Sequence, residues 1–337
     1  MLNVLSGVGL AVAVVIFLAS AVTVVFLGTY LAKYGDALAS LTGWGRLFVG
    51  SILVALATSL PEVSNNITAV RIDNPELALG DVLGSNMFNI LILAVVALLF
   101  GGKRFVQRVA PEQGYLIVLA AALTGLAVIF SLIKSEVSVW QVGLSSIIVL
   151  VVYFIGMWIV YRRRPAGSQE EEEEAGITLR RAWVMFTLVS VGVIISGVLL
   201  AQSMDQIAHE TGISSGVLGI LAVALVTSMP EISATFAAAR LGAADLGFAG
   251  VYGSCVFNIT ILAYADFFYR KGVVVNTADL EHYIAGVIAL GLIVMGGLLL
   301  WGRNRLPQPV IVSALVLMLV VTVAGAIWVA LLGAPSH

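Results

Sequence analysis

The sequence predicts an all-α polytopic membrane protein with about ten transmembrane helices, arranged as two five-helix repeats of inverted topology. Three observations support this prediction. The 337 residues are 60% hydrophobic and only 11% charged, whereas about a quarter of the residues in a soluble domain are charged. Apolar runs that are long enough to cross a bilayer occupy most of the chain. A polar motif inside these runs occurs twice, which indicates an internal duplication.

The expected number of helices follows from the lengths of the apolar runs. A hydrocarbon core about 30 Å thick requires about 20 apolar residues per helix. The first run has no basic segment before it and is longer than the core of a signal peptide, so we expect a retained helix. The predicted spans are Val15–Tyr30, Phe48–Val70, Leu77–Phe100, Tyr115–Ile133, Val137–Tyr161, Trp183–Gln202, Val217–Ala239, Leu246–Phe268, Tyr283–Trp301 and Val310–Leu332.

The two halves of the chain repeat at a constant offset. Thr227 lies 227 − 58 = 169 positions after Thr58, and Glu231 lies 169 positions after Glu62. The same offset relates Gly28 to Gly197, Asp36 to Asp205, Gly43 to Gly212, Arg71 to Arg240, Gly84 to Gly253, Ser85 to Ser254 and Asn89 to Asn258. We therefore expect repeats at 1–161 and 182–337. Because each contains five spans, an odd number, the second enters the membrane upside down relative to the first.

A charged linker, 162–181, separates the halves and determines the expected orientation. The predicted spans place four of the 17 Lys and Arg residues on one side of the membrane and 17 − 4 = 13 on the side of the linker. The positive-inside rule then predicts a cytoplasmic linker and external termini. The acidic run 170–174 within the linker is interpreted as a solvated segment, with a regulatory cation site as the alternative.

Each repeat carries a carboxylate inside an apolar span. The two motifs are Ala55-Leu56-Ala57-Thr58-Ser59-Leu60-Pro61-Glu62 and Ala224-Leu225-Val226-Thr227-Ser228-Met229-Pro230-Glu231. A glutamate in a membrane span costs about 2.5 kcal/mol or more and indicates a functional site by default. The predicted spans contain no Lys or Arg that could pair with these glutamates, so a structural ion pair is the less favoured interpretation.

The polar groups near the two glutamates are all oxygen donors. A second element follows each motif, Gly84-Ser85-Asn86-Met87-Phe88-Asn89 in one half and Gly253-Ser254-Cys255-Val256-Phe257-Asn258 in the other. Pro61 and Pro230 are expected to kink or break their helices and to free carbonyl groups at 55–58 and 224–227. Oxygen ligands suit hard cations, and calcium accepts six to eight of them in irregular geometry. Magnesium instead demands an octahedron and gives up its water reluctantly. Since two glutamates neutralise one divalent ion, the residues predict a site for a hard divalent cation that suits calcium better than magnesium.

Other residues receive structural interpretations. We expect Ser64 and Thr68 to donate to carbonyl groups one turn earlier. The remaining interpretations are a helix cap or fringe for Asp81, an interfacial position for Asp266, and packing for Asn86 and Cys255. The net charge of −2 says little about partners. The sequence lacks the concentrated basic face of a nucleic-acid binder, so the expected partners are the lipid bilayer and inorganic cations.

At these motifs the sequence resembles the calcium/cation antiporter superfamily, particularly its sodium/calcium exchanger-like prokaryotic branch. The family pattern is G-T/A-S-L/I-P-E followed by G-N-x-x-G-S-N-x-x-N, and it is recognisable here at 55–89 and again at 224–258. The resemblance implies exchange of calcium for sodium by alternating access at a midplane site, in a prokaryotic inner membrane. It implies no cofactor, only the transported ions Ca²⁺ and Na⁺, with H⁺ as an alternative to sodium.

The resemblance also implies which residues bind the ions. Glu62 and Glu231 match the central carboxylates of the family. The other implied ligands are Thr58, Ser59, Ser85 and Asn89 in the first repeat, Thr227, Ser228, Ser254 and Asn258 in the second, and the carbonyl groups of Ala55 and Ala224. The first and sixth helices, which contain Gly28 and Gly197, are implied to slide as a gate across a static core.

The chain departs from the family pattern at several positions. Val226 precedes the second Thr, Cys255 replaces the usual Asn, and the Gly-Asn pair reads Gly80-Asp81 in one half and Ala249-Gly250 in the other. Some family members have Asp where this chain has Asn258. The loss of that charge leaves the antiporter interpretation in place but leaves the coupling ion open between sodium and protons.

Two other classes of function were weighed. A cation channel would use the two glutamates for selectivity and would need no countertransport. An intramembrane hydrolase would need a nucleophile with a base. Ser59 and Glu62 would have to fill those roles, since no predicted span contains a histidine. The chain is therefore expected to be a transporter and not an enzyme.

Overall fold

The computed structural model describes residues 5, 7–71, 73–140, 142–163, 177–211, 225 and 227–332. The described first half contains helices α1 (Leu10–Leu41), α2 (Gly45–Phe48), a π-helical segment (Val49–Val54), α3 (Ala55–Arg71), α4 (Pro75–Leu99), α5 (Lys103–Gln107), α6 (Gln113–Ile133) and α7 (Leu144–Arg163). The described second half contains α8 (Leu179–Thr211), α9 (Met229–Arg240), α10 (Ala244–Asp266), a 3₁₀ turn (Val274–Thr277), α11 (Leu280–Gly302) and α12 (Gln308–Leu332).

Nine of the ten predicted spans are confirmed as helices that are long and apolar enough to cross a membrane, within the part of the chain that the structure describes. The seventh span, Val217–Ala239, falls partly outside the described residues, and its described C-terminal part is α9. The fifth helix begins at Leu144 and not at Val137. Strands β1 (Ser138–Val139) and β2 (Val142–Gly143) instead pair there as a short antiparallel hairpin.

Local sequence explains where α4 begins. Asn74 precedes α4, and its side-chain oxygen accepts a hydrogen bond from the backbone N–H of Leu77 at 3.2 Å. Pro75 occupies the first helical position and Glu76 follows it in the first turn. A capping Asn, a proline that has no N–H to leave unpaired, and a negative charge at the positive end of the helix dipole all favour this start. These residues fix the turn between α3 and α4.

Helix α10 lies at the centre of the molecule and is buried along nearly its whole length. It contacts α3, α4, α6, α7 and the π-helical segment. Glycine permits the closest of these contacts, because a Cβ atom at Gly253 would lie 2.6 Å from the Cα atom of Ser51. The outer helices instead expose large apolar side chains, such as Val22 and Phe154, as expected for surfaces that face lipid.

The long helices α1 and α8 pack along each other and approach the motif helix of the opposite half. A Cβ atom at Gly28 in α1 would lie 1.9 Å from the Ser233 hydroxyl oxygen in α9. A Cβ atom at Gly197 in α8 would lie 2.4 Å from Cγ of Pro61 in α3. The two glycines are repeat equivalents, so each half contributes a long helix that contacts the other half.

We predict that Gly253→Ala destabilises the protein, because the added methyl group would overlap backbone atoms of Ser51. Overpacking of this kind costs about 1–3 kcal/mol. The midpoint of thermal unfolding of the purified protein in detergent should fall by several degrees. Gly291→Ala in α11 is the matched control, since a Cβ atom there would meet nothing within 4 Å. Equal midpoints for the two variants would contradict the close contact at Gly253.

Candidate functional site

The first motif lies on α3, immediately after the π-helical segment that ends at Val54. The Thr58 hydroxyl donates to the carbonyl oxygens of Val54 at 3.1 Å and Ala55 at 3.2 Å. Of the expected kink or break at Pro61, the break does not occur, because α3 continues through Pro61 to Arg71. The irregular backbone lies instead in the π-helical segment, and such segments are frequent at functional sites.

In the second motif the proline lies at the start of a helix. Pro230 is the second residue of α9, a position where its missing N–H costs no helical hydrogen bond. Ser228 precedes the helix as a turn residue. Ala224, which the resemblance identified as a carbonyl ligand, lies outside the described residues, so the geometry of that position forms no part of the site described below.

Glu231 is bonded by hydroxyl groups from both halves of the chain. The hydroxyl groups of Ser59 in α3 and Ser254 in α10 donate to Glu231 Oε1 at 3.0 and 3.3 Å. The Thr58 and Ser254 hydroxyl oxygens lie 3.5 Å apart. Glu231 is 3% exposed. The structure therefore brings together one predicted carboxylate and three predicted hydroxyl ligands, which come from three helices.

Glu62 is the second buried carboxylate, with 1% of its surface exposed. It lies close enough to Glu231 and to Asp81 for electrostatic repulsion between the charged forms. Like charges in a site of low dielectric repel strongly unless a cation lies between or beside them. Both carboxylates can therefore be charged together only when a cation accompanies them, and protonation is the other way to remove the repulsion.

Unpaired oxygen atoms are concentrated on the predicted ligands. Twelve residues in the described part of the chain carry a buried side-chain atom with no hydrogen-bond partner, and six of them belong to the predicted site. The six atoms are Glu62 Oε2, Ser85 Oγ, Asn89 Oδ1, Ser228 Oγ, Glu231 Oε2 and Asn258 Oδ1. An unsatisfied buried polar atom costs about 1–3 kcal/mol, or more when charged. A bound cation is a physical explanation for such a concentration of acceptors.

Basic side chains do not satisfy these oxygens. The ion pairs among the described residues join Asp36 to Arg46 and Asp73 to Lys271, and none of these residues is a predicted ligand. The described residues also contain no group of three or more His, Cys, Asp or Glu side chains that could hold a metal. The donor set is thus two carboxylates supplemented by neutral hydroxyl and amide oxygens, which suits a hard cation.

Asn86 makes hydrogen bonds that the sequence interpretation does not include, and they lie beside a predicted ligand. Its amide N–H donates to the carbonyl oxygen of Cys255 at 3.1 Å, and its own side-chain oxygen accepts from Asn258 Nδ2 at 3.1 Å. The interpretation of Asn86 as a packing residue is therefore wrong, because it holds the amide of a predicted ligand in one orientation. Its place inside the motif 84–89 was the available signal.

Asp81 was also misassigned. It does not cap or fringe its helix but lies buried within α4, where Asn65 and Asn66 donate to its Oδ2 atom at 3.2 and 2.6 Å. Thr68, by contrast, donates to the Ser64 carbonyl oxygen at 2.8 Å, as expected.

Asp266, at the end of α10, has a different environment. It is buried and accepts three hydrogen bonds, from the N–H groups of Gly143 and Val274 and from the Ser146 hydroxyl. It thereby joins α10 to the hairpin and the 3₁₀ turn. Since both of its oxygen atoms are occupied by protein donors, its role in this structure is that of an anchor between segments.

Comparison with known proteins relates both halves of the chain to one family. A family model described as sodium/calcium exchanger protein matches residues 12–162 and 181–331. One match falls in each half, which agrees with the repeat seen in the sequence.

Curated relatives include two proteins whose names describe ion exchange and one that is named as an inner membrane protein. The sodium/calcium exchanger MaX1 of Methanosarcina acetivorans is 26% identical over 72% of this chain and 79% of its own. The inner membrane protein YrbG of Escherichia coli is 26% identical over 78% of this chain and 80% of its own. The Ca²⁺/H⁺ antiporter ChaA of Bacillus subtilis is 22% identical over 64% of this chain and 65% of its own.

The fold is similar to that of a solved exchanger. The sodium-calcium exchanger NCX_Mj superimposes with a TM-score of 0.72 and 18% sequence identity, over 94% of this chain and 98% of that chain. This likeness confirms the predicted fold, a helical membrane transporter with two repeats. Because the family model matches most of both halves, this integral membrane protein belongs to the sodium/calcium exchanger protein family of antiporters.

Proposed function

We propose that this protein exchanges Ca²⁺ for Na⁺ across the membrane by alternating access at the site that contains Glu62 and Glu231. The observation that carries the proposal is the pair of buried carboxylates, each with an unpaired oxygen atom and neither with a basic partner among the described residues. One divalent cation would neutralise both charges. The relative named sodium/calcium exchanger MaX1 supports the same pair of ions.

The proposed ligand set contains enough oxygen atoms for calcium, which takes six to eight. The carboxylates of Glu62 and Glu231 provide the charge, and hydroxyl, amide and carbonyl groups complete the shell. The neutral ligands are proposed to be Thr58, Ser59, Ser85, Asn89, Thr227, Ser228, Asn258, Ser254 and the carbonyl groups of Ala55 and Ala224. Sodium ions would use the same oxygens in turn, so the two ions would compete.

Charge neutralisation provides the coupling in this proposal. An empty site carries two negative charges, which resist movement of the surrounding apolar helices past them. A bound calcium ion, or sodium ions in its place, removes that charge and permits the change of access. Helices α1 and α8 are the proposed moving elements because they pack along each other and cross the motif helices at Gly28 and Gly197.

The proposed orientation follows from the distribution of basic residues. The repeats at 1–161 and 182–337 would have opposite orientations, with the linker 162–181 in the cytoplasm and both termini outside an inner membrane. Residues 164–176 of this linker lie outside the described residues.

A calcium/proton exchanger is the second candidate. The relative named Ca²⁺/H⁺ antiporter ChaA favours it, as does Asn258, which supplies a neutral amide where some family members have a carboxylate. Protons could replace sodium by binding to the carboxylates at the same site.

Uptake of calcium into proteoliposomes distinguishes the candidates. We expect purified protein to accumulate calcium when an outward sodium gradient is imposed at fixed pH, and not when potassium replaces sodium. Uptake driven only by an outward proton gradient would instead identify a calcium/proton exchanger. Calcium entry that needs neither gradient would contradict both candidates and indicate a channel.

We predict that Glu62→Gln and Glu231→Gln each abolish exchange, with a loss of about 100-fold or more, because one remaining charge cannot neutralise a divalent ion. The measurement is the initial rate of sodium-driven calcium uptake at equal amounts of reconstituted protein. Thr68→Ala is the control on the same helix, since its hydroxyl only returns to the Ser64 carbonyl. Wild-type rates in Glu62→Gln would refute the proposed site.

We predict that Asn86→Ala weakens ion binding, because Asn258 Nδ2 would lose its acceptor and the Asn258 oxygen would lose its fixed orientation. The concentration of sodium that gives half-maximal uptake should rise by about three- to tenfold, a loss of about one side-chain hydrogen bond. Thr260→Ala is the control on the same helix as Asn258, since the Thr260 hydroxyl donates to the Phe257 carbonyl oxygen. Equal effects of the two substitutions would argue against a positioning role for Asn86.

A further inference from the structure

Among the residues whose burial the structure describes, two buried aspartates, Asp81 and Asp266, accompany the glutamates in the membrane part of the chain. They differ in how many of their oxygen atoms accept hydrogen bonds. Asp266 accepts three hydrogen bonds that occupy both of its oxygen atoms. Asp81 accepts two, from Asn65 and Asn66, and both reach the same atom, Oδ2. Its other oxygen, Oδ1, is buried and has no partner.

Asn66 provides a second unpaired oxygen beside Asp81. Its amide N–H lies 2.6 Å from Asp81 Oδ2, while its side-chain oxygen is buried without a hydrogen-bond partner. Asn66 is 0% exposed and Asp81 is 3% exposed. Asp81 and Asn66 therefore contact each other, and each also keeps one acceptor oxygen without a partner. Water has little access to this place.

This pair is connected to the central site but separate from it. Asn66 Nδ2 also donates to the carbonyl oxygen of Glu62 at 2.8 Å, so one amide bridges Glu62 and Asp81. The electrostatic influence of Asp81 reaches the Glu62 side chain. Along α3, Asn66 lies between Glu62 and the Arg71 end of the helix, so an ion arriving from that end would meet Asp81 before Glu62.

The feature occurs in one half of the chain only. At the offset of 169 residues, the counterparts of Asn65, Asn66 and Asp81 are Ala234, Thr235 and Gly250. Neither Ala234 nor Gly250 can supply a side-chain oxygen. The duplication therefore does not explain the pair of Asp81 and Asn66. Since Gly250 occupies the position equivalent to Asp81, the fold does not require a carboxylate there.

We propose that Asp81 and Asn66 form an auxiliary site for a monovalent cation, namely Na⁺, on the Arg71 side of Glu62. A single carboxylate with a neutral amide oxygen balances one positive charge, whereas a divalent ion would leave excess charge in a low-dielectric region. Both donors are oxygen atoms, which suits a hard alkali ion. The site deepens the proposed exchange function, since sodium held beside Glu62 offsets the repulsion between carboxylates.

Equilibrium binding of ²²Na⁺ to the purified full-length protein in detergent, without calcium, tests this site. We expect the Asp81→Asn variant to bind one sodium ion fewer per chain than the wild type, or to bind one of its sodium ions with an affinity that is lower by about tenfold or more. Asp81→Asn preserves the shape of the side chain, and Asn is the residue of the family pattern at this position. Asn66→Thr, which installs the residue of the second repeat, should give the same loss if Asp81→Asn does not fold.

Asp266→Asn is the control for charge removal at a buried aspartate whose oxygens are occupied. It should bind as much sodium as the wild type in the fraction of protein that elutes as a folded species. Unchanged sodium binding in both Asp81→Asn and Asn66→Thr would overturn the proposal. So would a change confined to the pH dependence of calcium transport, which would identify a proton as the occupant.

Transport measurements separate this proposal from the exchange function on which it rests. In proteoliposomes, Asp81→Asn should raise the sodium concentration for half-maximal calcium uptake by about threefold or more, with calcium uptake intact at saturating sodium. Absence of sodium-driven uptake in the wild type would refute sodium/calcium exchange, while the ²²Na⁺ measurement would still decide the auxiliary site.

Discussion

The structure depends on the burial of two carboxylates where no basic side chain balances them. Glu62 and Glu231 are almost completely buried, and each retains an oxygen atom without a hydrogen-bond partner. Transfer of such groups out of water is costly unless positive charge accompanies them. The surrounding hydroxyl and amide groups reduce this cost only in part, because they are dipoles and carry no net charge. The arrangement of the helices therefore favours neutralisation of the two carboxylates, either by a bound cation or by protons.

Duplication supplied this arrangement, yet the two carboxylates have become unequal. Glu231 accepts hydrogen bonds from the hydroxyl groups of Ser59 and Ser254, one from each half of the chain. Glu62 instead lies within the electrostatic reach of Asp81. The two glutamates are equivalent in sequence but differ in environment, so an ion between them would experience an asymmetric field. An ion that approaches from the side of Glu62 would therefore meet different groups from an ion that approaches from the side of Glu231, although the fold is nearly symmetric.

Much of the fold could be predicted because each helix that crosses the hydrocarbon core needs about 20 apolar residues. Runs of that length are visible in the hydropathy of the sequence. The boundary at Val137 was wrong because apolar residues also form the hairpin at 138–143, which Asp266 anchors from a distant helix. A kink or break was expected at Pro61, but α3 is continuous there, and the irregular backbone lies upstream at Val49–Val54.

The site was predictable to the extent that it is local. The spacing within each motif placed hydroxyl groups and carboxylates on common helical faces. The roles of Asn86 and Asp81 depend on partners that are remote in sequence or on an adjacent helix, namely Asn258, Cys255 and Asn66. A propensity or a motif cannot reveal such contacts, since they arise only when the helices are assembled.

The exchange of contacts between the two halves also has a consequence for biosynthesis. Gly28 lies against Ser233, and Gly197 lies against Pro61, while Ser59 finds its acceptor in Glu231. When the first repeat, with its five membrane spans, has left the ribosome, several of its polar side chains still lack the partners that the second half will provide. Because Ser233 and Glu231 both lie on α9, their contacts with the first half can form only after that helix has been synthesised.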